Sequence, residues 1–320
     1  MDVKKFTEAS MLSSAFVVLS VLCIGLGFGY LGYIDFVVPA FVGIILLKCN
    51  LKYTIMSCVS SLILIIFVIG DLPSGIMMSQ NMILGMVIAY FIKKDESIFD
   101  DLFFSSIAAC IIMIFVDVNF STLTGYSLLK ESRELMEFIP SILDSYKDLI
   151  FYLSIACLPL GTVIIGYIVT LLFAKRFKIL NDLAINKSNI IKNFKNYGQF
   201  ISCSRKNVYL GIAGIISIAF INAYIVIDRY SYFTILITSI QYIILFFLLQ
   251  DSVSIITKVA YRISKSRGKV LIFQLFLIYL LFSYFKFVSS IIILFNLYFD
   301  YKYKIKIKYK EILDRCIIQK

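Results

Sequence analysis

The sequence contains no histidine and little charge. Without histidine, the side chain that most often serves as a general base near neutral pH and as a metal ligand is missing. Classical catalytic triads and histidine-bearing metal sites are therefore excluded. The seven cysteines include no CxxC pair, so neither a zinc site nor a disulfide framework is indicated.

Charged residues make up 16% of the chain, whereas a soluble protein has about a quarter. Hydrophobic residues make up 60%, and the mean hydropathy is +0.92. A membrane-spanning helix needs about 20 mostly apolar residues, and runs such as Leu149–Ala174 reach that length. Lipid cannot hydrogen-bond the backbone, so each spanning run should be helical. The sequence predicts an all-α, polytopic transmembrane helical bundle.

The apolar runs are spread along the whole chain. They lie at Ala9–Tyr30, Ile34–Leu47, Thr54–Gly70, Ser74–Ile92, Leu102–Phe120, Leu149–Ala174, Val208–Ile227, Tyr232–Gln250 and Val270–Asp300. The last run is long enough for one crossing, or for two short segments that turn near Lys286. Two segments form either two short spans or a shallow re-entrant hairpin, which gives about eight to ten spans in total.

The basic residues are distributed unequally between the two sides of the predicted membrane. With the N-terminus in the cytoplasm, 26 of the 31 Lys and Arg residues lie on the inner side, provided that the chain also ends there. Two segments within Val270–Asp300 satisfy this condition. Lys4 and Lys5 precede the first run and no small-residue cleavage site follows, which favours a retained first helix. We therefore expect a multi-pass protein of the cell membrane with both termini in the cytoplasm.

The chain divides into four parts on this pattern. Residues 1–174 form a six-span bundle, 175–206 a basic cytoplasmic loop, 207–300 the C-terminal spans and 301–320 a basic cytoplasmic tail. The outer loop between the fifth and sixth spans contains a candidate N-cap, Ser127, and a candidate helix stop, Pro140. These residues predict an amphipathic helix at Leu128–Ile139, lying on the outer membrane interface.

Three carboxylates lie beside or within apolar runs: Glu8, Asp117 and Asp251. Ionisable groups inside a membrane are costly and often functional. All three are predicted near the membrane boundaries, where water reaches a carboxylate. They are interpreted as boundary residues or helix caps, with a proton or cation role as the alternative.

Uncharged polar residues lie deeper in the predicted spans. Such side chains commonly form hydrogen bonds between helices, at about 0.6 kcal/mol each, and contact with a ligand is the alternative. They are Gln80, Asn81, Asn222, Gln241, Gln274 and Asn296. Gln250, at the end of the eighth span, is a further polar candidate.

Four glycines, Gly25, Gly27, Gly29 and Gly32, lie near the outer end of the first span. They favour a helix break or close helix packing over a dinucleotide-binding loop, because no strand precedes them. The tail at Tyr301–Lys310 alternates basic with aromatic or apolar residues. It is interpreted as a positive-inside anchor that contacts anionic lipids at the cytoplasmic face, at about 1 kcal/mol per basic residue. Nucleic acid is a disfavoured partner.

Two patches resemble a known family. The segment Ile291–Lys302 is similar to the closing signature of YybS-like bacterial membrane proteins, in which the last apolar run ends in Asp-x-aromatic-Phe-Asp-aromatic-Arg. Asn296, Tyr298, Phe299, Asp300, Tyr301 and Lys302 stand at those positions. The departures are Asn for the first Asp, Tyr for the usual Trp and Lys for Arg. Gln250 matches a Gln-Gly pair of that family, with Asp251 in place of Gly.

The start, Phe6–Ala15, resembles the opening helix of the same family and of the S-components of energy-coupling-factor vitamin transporters. The resemblance implies an S-component-like bundle in the first six spans that binds a small molecule. No Gly-x-x-x-x-Gly-Lys-Ser/Thr loop occurs, so ATP-driven transport would need partner ATPase and coupling subunits.

The alternative function is a membrane scaffold or regulatory protein that acts through the basic loop and tail. An enzyme is disfavoured, and no catalytic, cofactor-binding or metal-binding residue is predicted. A polar cavity among the first six spans would favour ligand binding over scaffolding.

Overall fold

The computed structural model describes residues 2–28, 32–139, 146–224 and 231–318. These residues form fourteen α-helices and no β-strand. The helices are α1 (Val3–Gly25), α2 (Val38–Lys48), α3 (Leu51–Ile69), α4 (Leu72–Ile92), α5 (Ile98–Thr124), α6 (Leu128–Glu137), α7 (Lys147–Arg176), α8 (Asp182–Lys192), α9 (Phe194–Tyr197), α10 (Arg205–Tyr224), α11 (Tyr232–Ser264), α12 (Arg267–Ser283), α13 (Phe285–Tyr303) and α14 (Ile305–Ile318).

Six of the described helices are long and apolar enough to cross a membrane: α1, α3, α4, α5, α7 and α11. This confirms the prediction of an all-α, multi-pass membrane protein. The run Val270–Asp300 forms two helices, α12 and α13, that meet at Tyr284, close to the predicted turn near Lys286. Whether each of these helices crosses the membrane stays a prediction.

The run Ile34–Leu47 differs from its prediction as a separate span. It contains a single π-helical turn, Tyr33–Val37, followed by α2, which has 11 residues. Such a helix is about 16 Å long, too short for a hydrocarbon core of about 30 Å. Eight residues of α2 are buried, and the helix packs against α4 and α7. Protein, rather than lipid, therefore surrounds this apolar segment.

Glycines allow the helices around α2 to approach closely. A Cβ placed on Gly85 of α4 would lie 2.3 Å from the carbonyl oxygen of Pro39 in α2, and one on Gly43 would lie 2.9 Å from Thr170 Cγ2 in α7. Small residues at such crossings let dispersion forces act between the backbones of membrane helices. The centre of the N-terminal bundle is therefore assembled by close steric fit.

The glycines at the end of the first span break the helix. α1 ends at Gly25, and Gly27 has a φ of +80°, a conformation that favours glycine. A Cβ on either residue would meet no atom within 4 Å, so close packing does not explain them. Gly29 lies outside the described residues.

The loop between α5 and α7 contains the predicted short helix. Ser127 caps α6, since its Oγ accepts a hydrogen bond from the Lys130 backbone N–H at 3.3 Å. Leu128 and Leu129 are buried in the core, whereas Phe138, just after the helix, is exposed. The predicted stop, Pro140, lies outside the described residues, and the contact of α6 with the membrane surface stays a prediction.

Candidate functional site

Polar side chains concentrate at the end of the bundle that the basic residues assign to the cytoplasm, here called the inner end. α11 has 33 residues and is therefore about 50 Å long, whereas about 20 residues cross the hydrocarbon core. If α11 begins at the outer boundary, the core ends close to Asp251. The rest of α11, about three and a half turns, then lies at headgroup level and beyond.

The first buried ion pair joins the basic loop to α5. Lys187 Nζ in α8 lies 2.7 Å from Asp101 Oδ2 and donates to the carbonyl oxygens of Ile92 at 3.3 Å and Lys94 at 2.7 Å. The Tyr167 hydroxyl of α7 donates to the same carboxylate oxygen at 2.6 Å. Asp101 is fully buried. One lysine thus ties the loop to α5 and to the end of α4.

The second buried ion pair joins the tail to α11. Lys306 Nζ in α14 lies 2.6 Å from Asp251 Oδ2 and donates to the Cys203 carbonyl oxygen at 2.9 Å. Asn296 Nδ2 of α13 donates to Asp251 Oδ2 at 3.0 Å and to Ser252 Oγ at 2.9 Å. Asp251 is fully buried. The tail, α13 and α11 therefore meet at one carboxylate.

A short segment, residues 201–204, links the two ion pairs. The Cys203 backbone N–H donates to Asp251 Oδ1 at 3.2 Å. The next N–H, of Ser204, donates to Asp100 Oδ1 at 3.0 Å. Asp100 precedes Asp101 on α5, so the polar contacts continue from one pair to the other.

Asp300 connects the tail to α10 through contacts with Lys306 and Arg205. Its Oδ1 accepts from the Lys306 backbone N–H at 2.9 Å, and its carboxylate pairs with the Arg205 guanidinium. We call the whole set the inner polar network. It comprises Asp100, Asp101, Tyr167, Lys187, Cys203, Ser204, Arg205, Asp251, Asn296, Asp300 and Lys306.

The chemistry of the inner polar network favours attachment over turnover. Burial raises the pKa of the Cys203 thiol well above its usual range, and the charges of Asp251 and Asp100 raise it further. The thiol is therefore protonated and a poor nucleophile. Each lysine neutralises a carboxylate, and loss of one partner from such a buried pair costs about 3–5 kcal/mol. The network thus attaches the loop and the tail to the membrane helices.

A cavity of about 640 Å³, here called the inner cleft, lies beside this network. α11 and α12 each contribute one face, and Gln199 contributes from the loop. Lys258 Nζ donates to the Gln199 carbonyl oxygen and lies 4.1 Å from the centre of the Tyr309 ring. The cleft is lined by Gln199, Gln250, Val253, Ser254, Thr257, Lys258, Tyr261, Arg267, Val270 and Gln274.

The structure brings some of the predicted polar residues together. Asn296 contacts Asp251 in the network, while Gln250 and Gln274 line the cleft. Asp251 has no exposed surface, so the expectation that water reaches it at the membrane boundary is wrong. α13, α14 and segment 201–204 cover it.

The other predicted residues lie elsewhere in the fold. Asp117 is also buried, so the expected access of water is wrong for this carboxylate too. It accepts a hydrogen bond from the Leu128 backbone N–H at 2.8 Å, at the start of α6. Glu8 lies 3.8 Å from Lys48 Nζ in an ion pair.

Among the uncharged candidates, Asn81 is buried and its Nδ2 donates to Asp35 Oδ1 at 3.2 Å. Gln80 is also buried, Gln241 is half-buried in α11 and Asn222 is exposed on α10. These three take no part in the inner polar network.

Sequence reasoning missed five charged members of the network: Asp100, Asp101, Lys187, Arg205 and Lys306. The two lysines lie in segments that are basic throughout, and the two aspartates come directly before an apolar run. One signal was available for the aspartates, because acidic residues in the first turn favour a helix N-terminus. That signal predicts a helix start but not burial.

Comparisons of the chain with family models, with curated proteins and with solved structures found no match. Within the described residues, no group of three or more Cys, Asp or Glu side chains is placed to hold a metal ion. The inner cleft and the inner polar network are therefore the candidate functional features of the protein.

Proposed function

We propose that this integral membrane protein binds a small polar molecule and acts as an S-component-like subunit of a transport system. The inner cleft is the observation that carries the proposal. Ligand sites in proteins have volumes of about 300–1,000 Å³, and the cleft has about 640 Å³ with mostly polar lining residues. The cleft lies between α11 and α12 rather than among the first six spans, so it supports binding of a small molecule, while the S-component-like role depends on the resemblance of the first six spans.

Membership of the YybS-like family is part of the proposal, and the residues that carry the resemblance lie at the candidate site. Gln250 lines the cleft, and Asp251 next to it is the carboxylate on which α13 and α14 converge. Asn296 and Asp300 of the closing signature both belong to the inner polar network. The short motifs that suggested the family thus coincide with the candidate site.

Native mass spectrometry of the protein, released gently from detergent micelles, tests ligand binding. We expect an adduct of constant mass that is retained at low collision energy. Replacement of Gln274 by Leu, which removes an amide from the cleft, should weaken the adduct, whereas Asn222→Leu on the exposed face of α10 should not. A protein that carries no adduct, or that carries one equally in both variants, would contradict the proposal.

A second candidate function is a scaffold or regulatory protein of the membrane. The observation in its favour is that α8 and α14 are fixed to the bundle by buried ion pairs and present a defined basic surface. Cross-linking in native membranes from exposed positions on these helices, such as Lys192 and Lys308, should then recover one constant partner. Recovery of lipid alone would rule the scaffold out.

Both proposals place the loop and the tail in the cytoplasm. In a cysteine-free background, a cysteine at the exposed position Asn196 should resist a membrane-impermeant maleimide in intact cells and react after permeabilisation. A cysteine at the exposed position Glu134 of α6 should react in intact cells. Reaction of the Asn196→Cys protein in intact cells would overturn the orientation.

A further inference from the structure

We propose that the inner cleft binds a phosphate-bearing anion, with Lys258 and Arg267 as the cations that neutralise it. The inference rests on the proposed function, because it names the chemical class of the bound molecule. Both the headgroup of an anionic lipid and a soluble phosphate ester carry such a phosphate group.

The shape of the cleft comes from two helix faces. On α11 the lining residues recur every three or four positions from Gln250 to Tyr261, which is one face over about 16 Å. On α12 they are Arg267, Val270 and Gln274, again one face. A groove of this length accommodates a phosphate group together with the glycerol or sugar attached to it.

The charges in the cleft select an anion. None of the ten described residues that line it is acidic, and two are basic. The carboxylate beside the cleft on α11, Asp251, is neutralised by Lys306 Nζ at 2.6 Å. The exposed Arg267 has a planar guanidinium whose parallel N–H groups match two oxygens of a phosphate.

Lys258 is oriented before any ligand arrives. Its ammonium donates to the Gln199 carbonyl oxygen and lies over the Tyr309 ring, which holds it in the cleft. A lysine ammonium has three N–H donors, so two remain for a ligand. The amide groups of Gln250 and Gln274 supply further donors from the same two helix faces.

The start of α12 adds a favourable backbone dipole. The N-cap residue Ser266 makes no side-chain capping hydrogen bond, and Arg267 follows as the first helical residue. The N–H groups of a first helical turn attract phosphate through hydrogen bonding and the helix dipole. The cationic side chain and this helix end therefore act on one part of the cleft.

The depth of the cleft fits a phosphate at the membrane surface. Its α11 face runs from Gln250 to Tyr261, and the hydrocarbon core ends close to Asp251 when α11 begins at the outer boundary. Basic pockets between membrane helices on the cytoplasmic side typically hold anionic headgroups. The phosphates of lipids and of soluble metabolites both reach this level.

The test uses the full chain, delipidated in a neutral detergent, and native mass spectrometry with three probes. Phosphatidylglycerol represents the lipid source and glycerol 3-phosphate the soluble source. Diacylglycerol represents the lipid without its phosphoglycerol headgroup. The test variant is K258Q/R267Q. The control is R262Q/K269Q, which removes two positive charges from exposed positions of the same two helices outside the cleft.

We expect K258Q/R267Q to weaken binding of one phosphate probe by about thirtyfold, and R262Q/K269Q to change it less than threefold. Loss for phosphatidylglycerol alone identifies a lipid headgroup, and loss for glycerol 3-phosphate identifies a soluble ester. R267Q alone, at an exposed side chain, should give part of the loss. Equal thermal unfolding of R267Q and the unmodified protein excludes misfolding as the cause.

Two results would overturn the phosphate assignment: equal affinity of both double variants for each phosphate probe, or diacylglycerol binding as strong as phosphatidylglycerol binding. If the purified protein nevertheless carries a neutral adduct, the proposed small-molecule function stands and only the anion class fails. If no adduct and no probe binds, both proposals fail.

Discussion

The helices around α2 and the helices around α11 are held together by different forces. Around α2, helices meet at glycines so closely that a Cβ on Gly85 would lie 2.3 Å from a backbone oxygen. Around α11, polar side chains make the connections, with Asn296, Lys306 and Gln274 all donating to α11. Close packing is disrupted when a residue is replaced by a larger one, whereas an ion pair is disrupted when one charged partner is removed. The two regions should therefore respond to different substitutions.

The largest effect is expected at the tail ion pair. K306M removes the ammonium and leaves the buried Asp251 without its cation, which should lower the free energy of unfolding by about 3–5 kcal/mol. The loss should also release α14 and uncover Cys203, which is now 3% exposed. The rate of Cys203 alkylation, with the other cysteines replaced, measures this opening.

K308M is the matched control, because Lys308 is exposed on the same helix. D251N/K306M should recover part of the lost stability, since it removes the unpaired charge. Unchanged Cys203 alkylation in K306M would show that the tail is attached by other contacts.

The second-largest loss of stability is expected for a substitution in the N-terminal bundle. G85A places a Cβ against Pro39, so α4 must move away from α2, and the free energy of unfolding should fall by about 1–3 kcal/mol. In G161A, on α7, the added Cβ meets no atom within 4 Å, and stability should stay the same or rise slightly. Thermal unfolding in detergent compares the two; equal midpoints would show that steric fit does not hold α2.

The smallest change in stability is expected at Lys304, which follows the end of α13. Lys304 has a φ of +50°, which is unfavourable for a residue with a Cβ, so K304G should stabilise the protein by up to about 1 kcal/mol. K302G, within α13, should destabilise it by about 1 kcal/mol. The same thermal measurement applies. A loss of stability in K304G would indicate that the lysine side chain itself supports the tail.

The spans and their helical nature were predictable because hydrophobic run length reports directly on the membrane core. The position of α2 inside the bundle was not predictable, because an apolar run has the same composition whether lipid or protein surrounds it. Its burial depends on Gly85 and Gly43, which permit close neighbours from elsewhere in the chain. The break near Lys286 was predictable from charge, since the basic tail required two segments.

The candidate site was predictable only in part. Asp251, Asn296 and Gln250 attracted attention because polar groups in apolar runs are rare, but nothing local indicated that Asp251 meets Asn296. Lys187 and Lys306 were hidden among many basic residues, and only tertiary contacts distinguish them from solvated neighbours. Since Lys306 is buried, it is unavailable to the anionic lipids expected to bind the tail.

The enclosed position of α2 has a consequence for the order of events during synthesis. The helix is too short to remain stably in lipid by itself, and two of its neighbours, α4 and α7, emerge from the ribosome later. α7 is complete about 130 residues after α2, which at about 5–20 residues per second is a delay of roughly 6 to 26 seconds. α4 is complete sooner, about 44 residues after α2, so the segment lacks both neighbours only during the first part of this interval. The bundle therefore closes around α2 late, when α7 arrives.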